Sequence, residues 1–189
     1  HETQYMAPED ADRYECFVAQ RVLSVQVTQA EQNQRHNLFH TKGVVKERSV
    51  RVIIDGGSCN NLASMEIVEK LSLTTRPHPH TYYIQWFNSS AKVKVTRTVH
   101  VHFSISTYTD YVDCDVVPMQ GCSLLLGRPW QFDKKFVHHG RNNQYTLVYK
   151  DSHITLFPMT PKSILKDDIN RANKAKQEKN KSGNQIVAK

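Results

Sequence analysis

One carboxylate of this sequence stands at the end of an apolar run and directly before residues that permit a tight turn. The run Val52-Ile53-Ile54 leads into Asp55, and Gly56-Gly57-Ser58 follows. A carboxyl group at the end of a hydrophobic strand is partly desolvated, which disfavours its charged form. Such burial is costly unless the group has a partner or a task, so Asp55 is a candidate acid or base. Asp-Gly is also a common turn dipeptide, and the segment alone does not distinguish catalysis from a plain turn.

The elements around this segment follow a specific order. The loop is followed by a short helix, a β-hairpin, two further strands and the run Leu125-Leu126-Gly127-Arg128. This order is similar to that of retropepsins. The segments 53–61, 114–119 and 124–132 resemble the protease region of plant gypsy-type LTR-retrotransposon polyproteins. The resemblance covers about residues 37–158, and the motifs in this order are far more specific than any one of them.

The resemblance assigns roles to particular positions. It implies that Asp55 is the catalytic aspartate and that the active-site loop consists of Gly56, Gly57 and Ser58. It implies a flap at the hairpin 84–93, with candidate substrate contacts at Trp86, Phe87, Asn88, Ser89 and Ser90. It also implies that Leu125, Leu126 and Gly127 pack beside the loop and support it. No metal and no cofactor is implied.

The sequence contains one Asp-x-Gly-Ser loop, whereas single-chain pepsin-like enzymes carry two. A second copy must therefore come from another chain, and a two-fold homodimer supplies it. The implied activity is that of an aspartic endopeptidase that processes a polyprotein, with capsid-type segments upstream and a reverse transcriptase downstream. Gly56 departs from the family, which usually has Ser or Thr there. The alternative is thus a catalytically inactive retropepsin-like module for dimerisation or spacing.

The pattern of apolar residues predicts a mostly β fold with one or two short helices. The resemblance implies that this fold is a closed retropepsin-like barrel that forms half of a two-fold dimer. Residues 1–37 are expected to form an extension with a short helix and a strand, and residues 38–158 the protease domain. Residues 159–189 are expected to be a basic, disordered linker. Residues 162–189 contain eight Lys or Arg and three Asp or Glu, so this segment carries much of the net charge of +7. This tail leaves nucleic-acid binding as a weak third hypothesis.

Several other groups are weaker candidates. His100 and His102 are expected on the solvated face of a strand, without a carboxylate or Cys companion, and the pairs His78/His80 and His138/His139 in loops. Cys59 is expected to be a packed thiol, and a paired role for Asp113 and Asp115 lacks support. The four cysteines lack a CxxC pair, which predicts reduced thiols and an intracellular, cytoplasmic protein, with a virus-like particle as a further location. No apolar run is long enough to span a membrane.

Overall fold

The structure is a computed structural model that describes residues 17–18, 34–86 and 92–186. For residues 17–18, 86 and 178–186 it describes the backbone alone. The helix start expected at Pro8-Glu9-Asp10 and the strand expected at Arg21–Thr28 lie outside the described residues, so both stay predictions.

Strands account for nearly half of the described residues. They are β1 (Phe17–Val18), β2 (Phe39–Val45), β3 (Arg48–Ile54), β4 (Leu62–Ser64), β5 (Thr75–Trp86), β6 (Lys92–Ile105), β7 (Tyr108–Val117), β8 (Leu124–Leu126), β9 (Val137–His139), β10 (Gln144–Tyr149) and β11 (Ser152–Leu156). The helices are α1 (Met65–Lys70), α2 (Arg128–Asp133) and α3 (Pro161–Ile186), with a 3-10 turn at Gln34–His36. The predicted mostly β class is confirmed.

Six strands of the larger sheet form a ladder that returns to its own start. The order of pairing is β6, β2, β3, β8, β4, β7 and then β6 again, which closes a barrel. β5 and β1 extend the sheet from β6. Two of the barrel pairs are parallel, β3 with β8 and β4 with β7. Parallel neighbours need long connections, so the strand before Asp55 is joined to a segment from much later in the chain.

The barrel strands β3 and β8 are buried on both faces. Ile54 and Leu126 belong to the main core, whereas Ile53 and Leu125 belong to a smaller cluster on the other side. Burial on both faces explains why the two strands read as continuous apolar runs rather than as alternating ones. In β6 the expected alternation is confirmed. Apolar residues from Val99 to Ile105 are buried at every second position, and the histidines between them are exposed.

Local signals placed several elements correctly. The β2–β3 hairpin turns at Lys46 and Glu47, whose φ values of 43° and 61° are those of the tight two-residue turn that matches strand twist. Helix α1 begins after Ser64, whose side chain accepts a hydrogen bond from the Ile67 amide at 3.2 Å. Pro77 and Pro79 follow this helix in the sequence and predict an irregular segment there, because Pro cannot continue a helix. They lie within β5 instead, where the pairing with β6 is irregular between Pro77 and Tyr82.

A three-stranded sheet of β11, β10 and β9 packs against the barrel through Tyr145, Leu147 and Leu156. The hairpin of β10 and β11 was expected and is confirmed. The expectation that His138 and His139 lie in a loop is wrong, because both belong to β9 and pair with β10. A three-residue strand is too short to show a periodic signal of its own.

The expectation of disorder from residue 159 is wrong for Pro161–Ile186, which form α3. Thr160 caps this helix, since its hydroxyl accepts a hydrogen bond from the Ser163 amide at 3.2 Å. Composition misled because Lys, Gln and Ala are good helix formers even where large apolar residues are few. Tertiary contact also holds the helix, and this was not visible in its own sequence. None of the described helices combines the length and apolarity that a membrane crossing requires.

The contact between α3 and the barrel centres on Arg51, a buried residue of β3. Its guanidinium donates to Asp167 Oδ2 and to Asp168 Oδ1, each at 2.5 Å, and to the Ile164 carbonyl at 3.2 Å. A buried guanidinium needs such partners, because its charge is otherwise costly to desolvate. The first turns of α3 therefore supply the counter-charges for the strand that leads to Asp55.

Candidate active site

Strand β3 delivers Asp55 to the edge of the barrel beside the end of β8. Ile54 pairs with Leu126 in parallel register, and the Asp55 amide donates to the Leu126 carbonyl at 3.0 Å. Because Ile54 and Leu126 are almost fully buried, the backbone of Asp55 is held by rigid core on both strands. The carboxyl group lies where a fixed strand ends and a loop begins.

The carboxylate of Asp55 is partly exposed and held by its own loop. Its Oδ1 accepts a hydrogen bond from the Gly57 amide at 2.9 Å, and Gly56 and Gly57 are exposed beside it. The nearby Tyr145 is buried, which together with the charge of Asp55 raises the pKa of Tyr145 to about 12. The partly exposed carboxylate thus has one oxygen bonded to its own loop and a phenol within electrostatic range.

Ser58 fixes the second half of the loop. It is buried, its hydroxyl donates to the Asn60 carbonyl at 2.8 Å, and its amide donates to the Asp55 carbonyl at 3.2 Å. Its own carbonyl accepts from the Arg128 amide at 2.8 Å. The serine thus ties the Asp55 loop to the start of α2.

At Gly127, directly after β8, the chain passes very close to the backbone of the loop that follows Asp55. A Cβ atom there would lie 2.4 Å from the Asn60 carbonyl oxygen and 2.8 Å from that of Ser58. Its amide donates to Asn61 Oδ1 at 2.9 Å. The position therefore requires Gly for space, and the structure brings Leu125, Leu126 and Gly127 beside the loop.

A polar network next to the loop was missed by sequence reasoning. Asn60 donates to the Tyr82 hydroxyl at 2.7 Å, and that hydroxyl donates to Asp115. His78 Nε2 lies 3.2 Å from the other oxygen of Asp115. The network joins β5 and β7 to the segment after Ser58. Its members are far apart in the chain, and only the Asn60-Asn61 pair directly after the loop gave a local hint.

Helix α2 is positioned by a buried carboxylate on β7. Asp110 accepts hydrogen bonds from Tyr108 at 2.6 Å, from Trp130 Nε1 at 3.0 Å and from Lys134 Nζ at 2.7 Å. Burial would raise the pKa of Asp110, but these hydrogen bonds outweigh it and hold the pKa below its usual range. Trp130 lies in the core, one of the two environments expected for it. The carboxylate fixes the helix that follows Gly127.

The hairpin of β5 and β6 stands where the sequence placed the flap. Ile84 pairs with Val93, and Ile84 is buried. Phe87, Asn88, Ser89 and Ser90 lie outside the described residues, as does the side chain of Trp86. Their proposed contacts with substrate stay predictions.

Three of the weaker candidates are corrected by the structure. The expectation that His78 and His80 lie in a loop is wrong, because both belong to β5. Cys59 is exposed rather than packed. His100 does have a carboxylate neighbour, since its Nδ1 lies 2.8 Å from Asp113 Oδ1 across the β6–β7 pair, a contact between distant residues that spacing along one strand did not show. Within residues 34–86 and 92–186, no group of three or more His, Cys, Asp or Glu side chains is arranged to hold a metal ion.

Comparison with known families matches residues 51–135 to the model of the PEG10/RTL1 protease domain. The matched segment begins within β3 and ends just after α2, so it contains Asp55, its loop and Gly127. The match supports a retropepsin-like protease domain. With the closed, mostly β barrel, it agrees with the predicted fold class. No curated protein matches the chain.

Two solved structures are similar to the chain at low identity. The retroviral protease-like domain of Ddi1 from Leishmania major has 11% identity and a TM-score of 0.48, and the alignment covers 67% of this chain and 96% of that one. A retropepsin-like aspartic protease from Rickettsia conorii has 16% identity and a TM-score of 0.41, with 58% and 91% covered. Likenesses this distant say nothing about activity.

Proposed function

We propose that the chain is an aspartic endopeptidase that works as a homodimer, with one Asp55 from each copy. The proposal rests on the position of Asp55 in the structure. It ends a doubly buried strand, its amide is fixed by Leu126, and one carboxylate oxygen remains free of the Gly57 bond beside an exposed Gly-Gly turn. The match of residues 51–135 to a retropepsin-like family supports the same assignment.

The proposed chemistry needs two such carboxylates. Two carboxyl groups that share a site cannot both be charged at low cost, so one of them keeps a proton. The ionised copy of Asp55 takes a proton from a bound water, and the oxygen of that water attacks the scissile carbonyl carbon. The protonated copy donates a hydrogen bond to the carbonyl oxygen and later helps to protonate the leaving amine. A two-fold axis near the exposed loop would bring the copies together.

The finer identity is also a proposal. The sequence resemblance favours the protease of a plant gypsy-type retrotransposon polyprotein, with residues 38–158 as the protease domain and Trp86 to Ser90 in the flap over a bound peptide. Its substrate would be the polyprotein itself, with capsid-type and reverse transcriptase segments on either side. The proposed location is cytoplasmic, free or in a virus-like particle. The composition of the 162–189 tail gives little support for nucleic-acid binding.

A peptide-library cleavage assay at acidic pH tests the proposal. We expect cleavage by the unmodified chain, inhibition by a statine-type transition-state analogue, and loss of cleavage in Asp55→Asn, which keeps the side-chain shape but removes the acid. Asp133→Asn is the matched control, since it makes the same change in α2. A stable dimer that cleaves no peptide would instead favour the inactive module, for which Gly56 in place of a hydroxyl residue is the motivating observation.

A further inference from the structure

The side chain of Gln131 borders the space that a side chain on Gly56 would occupy. A Cβ atom built on Gly56 would be 3.3 Å from Gln131 Oε1 and 3.6 Å from its Nε2. The first of these distances is tighter than ordinary van der Waals contact, so a side chain at position 56 would require the carboxamide to shift by a few tenths of an ångström. The carboxamide of Gln131 therefore borders the volume that any larger residue at position 56 would need.

The backbone of Gln131 is fixed on both sides. Its amide donates to the Gly127 carbonyl at 3.2 Å, and its carbonyl accepts from the Phe136 amide at 3.2 Å. The preceding residue, Trp130, is buried and bonded to Asp110. Because the helix is anchored in this way, the side chain of Gln131 is held against the Asp55 loop by the core.

The carboxamide is also held at a cost. Gln131 Nε2 is buried and has no hydrogen-bond acceptor among the residues that the structure describes. Leaving a buried donor without a partner lowers stability, and a Leu or Met would avoid that loss. Unsatisfied groups of this kind are rare in folded proteins and call for an explanation in function or strain. Here the group borders the space that a side chain on Gly56, the residue next to Asp55, would occupy.

We propose that Gln131 is a positioning residue for the Asp55 loop, and that Gly56 and Gln131 form one coupled pair. The carboxamide braces the loop where a side chain at position 56 would otherwise stand, so Gly56 is the residue that this brace requires rather than a defect of the site. The catalytic part of the inference rests on the proposed function. The contact itself does not.

Four variants and one control test the pair by cleavage kinetics. Gln131→Ala is expected to lower kcat about tenfold with KM within about twofold, because a loosened loop misplaces Asp55 without removing a substrate contact. Gly56→Thr is expected to lower kcat as well. The double variant Gly56→Thr/Gln131→Ala is expected to be at least about fivefold faster than Gly56→Thr alone, since the space is then open. Gln120→Ala, a change at an exposed glutamine, is the control and should match the unmodified chain.

The fourth variant, Gln131→Glu, separates positioning from a merely structural role. A protonated Glu has nearly the shape of Gln, whereas an ionised Glu places a second negative charge beside the loop. We expect near-normal cleavage at the acid end of the pH profile and a steep loss as pH rises, which shifts the alkaline limb to lower pH. An unchanged profile, or single-variant losses that simply multiply in the double variant, would overturn the proposal.

Thermal unfolding of the same two single variants and the double variant tests the contact independently of activity. We expect Gly56→Thr to lower the unfolding midpoint less when Gln131 is Ala than when it is Gln. If the unmodified chain shows no Asp55-dependent cleavage but this coupling is found, the proposed function fails and the contact stands. If cleavage depends on Asp55 but neither the kinetics nor thermal unfolding shows coupling, the role given to Gln131 is wrong.

Discussion

Acid should weaken this fold through one buried histidine. His40 on β2 is 5% exposed, and its Nδ1 is buried without a hydrogen-bond partner among the described residues. Burial, with a smaller contribution from the Arg51 guanidinium, lowers the pKa of His40 from 6.5 to about 4, against an opposing effect of Asp168. His40 is thus neutral in the native state at pH values where it is already protonated in the unfolded chain.

The sign and size of the effect follow from linkage. Above pH 6.5 neither state binds this proton and stability is unaffected. As pH falls from 6.5 toward about 4, the unfolded state binds more protons, so the free energy of unfolding decreases. At about 1.4 kcal/mol per pH unit, the loss reaches about 2.5 kcal/mol by about pH 4.5 and levels off below about pH 4.

The perturbation is His40→Gln, which keeps a polar side chain that cannot be protonated. Urea unfolding followed by circular dichroism at about pH 7.5 and about pH 4.5 gives the loss of unfolding free energy for each protein. We expect the unmodified chain to lose about 2.5 kcal/mol more than His40→Gln over this range. His153→Gln, at an exposed histidine, should behave like the unmodified chain. Parallel losses in the unmodified chain and His40→Gln would refute the reasoning.

Three further changes test the frame of the site. Gly127→Ala is expected to lower the free energy of unfolding by about 3 kcal/mol or to prevent folding, because the added Cβ would lie 2.4 Å from the Asn60 carbonyl oxygen. A denaturation curve that overlays the curve of the unmodified chain would contradict this close approach. Asp110→Asn is expected to lower the free energy of unfolding by roughly 3 kcal/mol at neutral pH and by less below the usual pKa of an Asp. The lowered pKa of Asp110 means that its ionised form stabilises the fold, and acid removes this stabilisation. Urea unfolding at two pH values measures the loss, and an equal loss at both would contradict the role given to the hydrogen bonds of Asp110. Arg51→Met is expected to release α3 while the barrel stays folded, because Asp167 and Asp168 are partly exposed and can be solvated by water instead. Amide hydrogen exchange should become faster in residues 161–177 and stay slow in β3. Unchanged protection of the helix would show that other contacts hold it.

The parts of the site that the sequence could predict are those built from local signals. An apolar run that ends in Asp55 and two glycines specifies a strand and a turn, and Leu125-Leu126-Gly127 specifies a second buried strand with a close approach. The order of motifs, which resembles that of a known family, predicted that these two segments lie next to each other. The parallel pairing of β3 with β8 confirms that they do. Each of these elements is encoded by adjacent residues.

The missed features depend on contacts between distant residues. The brace of Gln131 on Gly56 joins α2 to the loop, and the link from Asn60 through Tyr82 to Asp115 joins β5 and β7 to the segment after Ser58. No spacing along one element shows such contacts. The disorder expected for the tail failed for the same reason, because the partner of α3 is Arg51, more than a hundred residues earlier.

Mixing of subunits tests the need for two copies of Asp55 most directly. The unmodified chain and Asp55→Asn are unfolded together, refolded at a fixed total concentration, and assayed on one cleavable peptide over a series of mixing ratios. If both carboxylates of a dimer are required, activity follows the square of the unmodified fraction, and an equal mixture keeps about one quarter of full activity. An equal mixture that keeps about half of full activity, as expected if each chain acts alone, or about three quarters, as expected if one Asp55 per dimer suffices, would contradict the account.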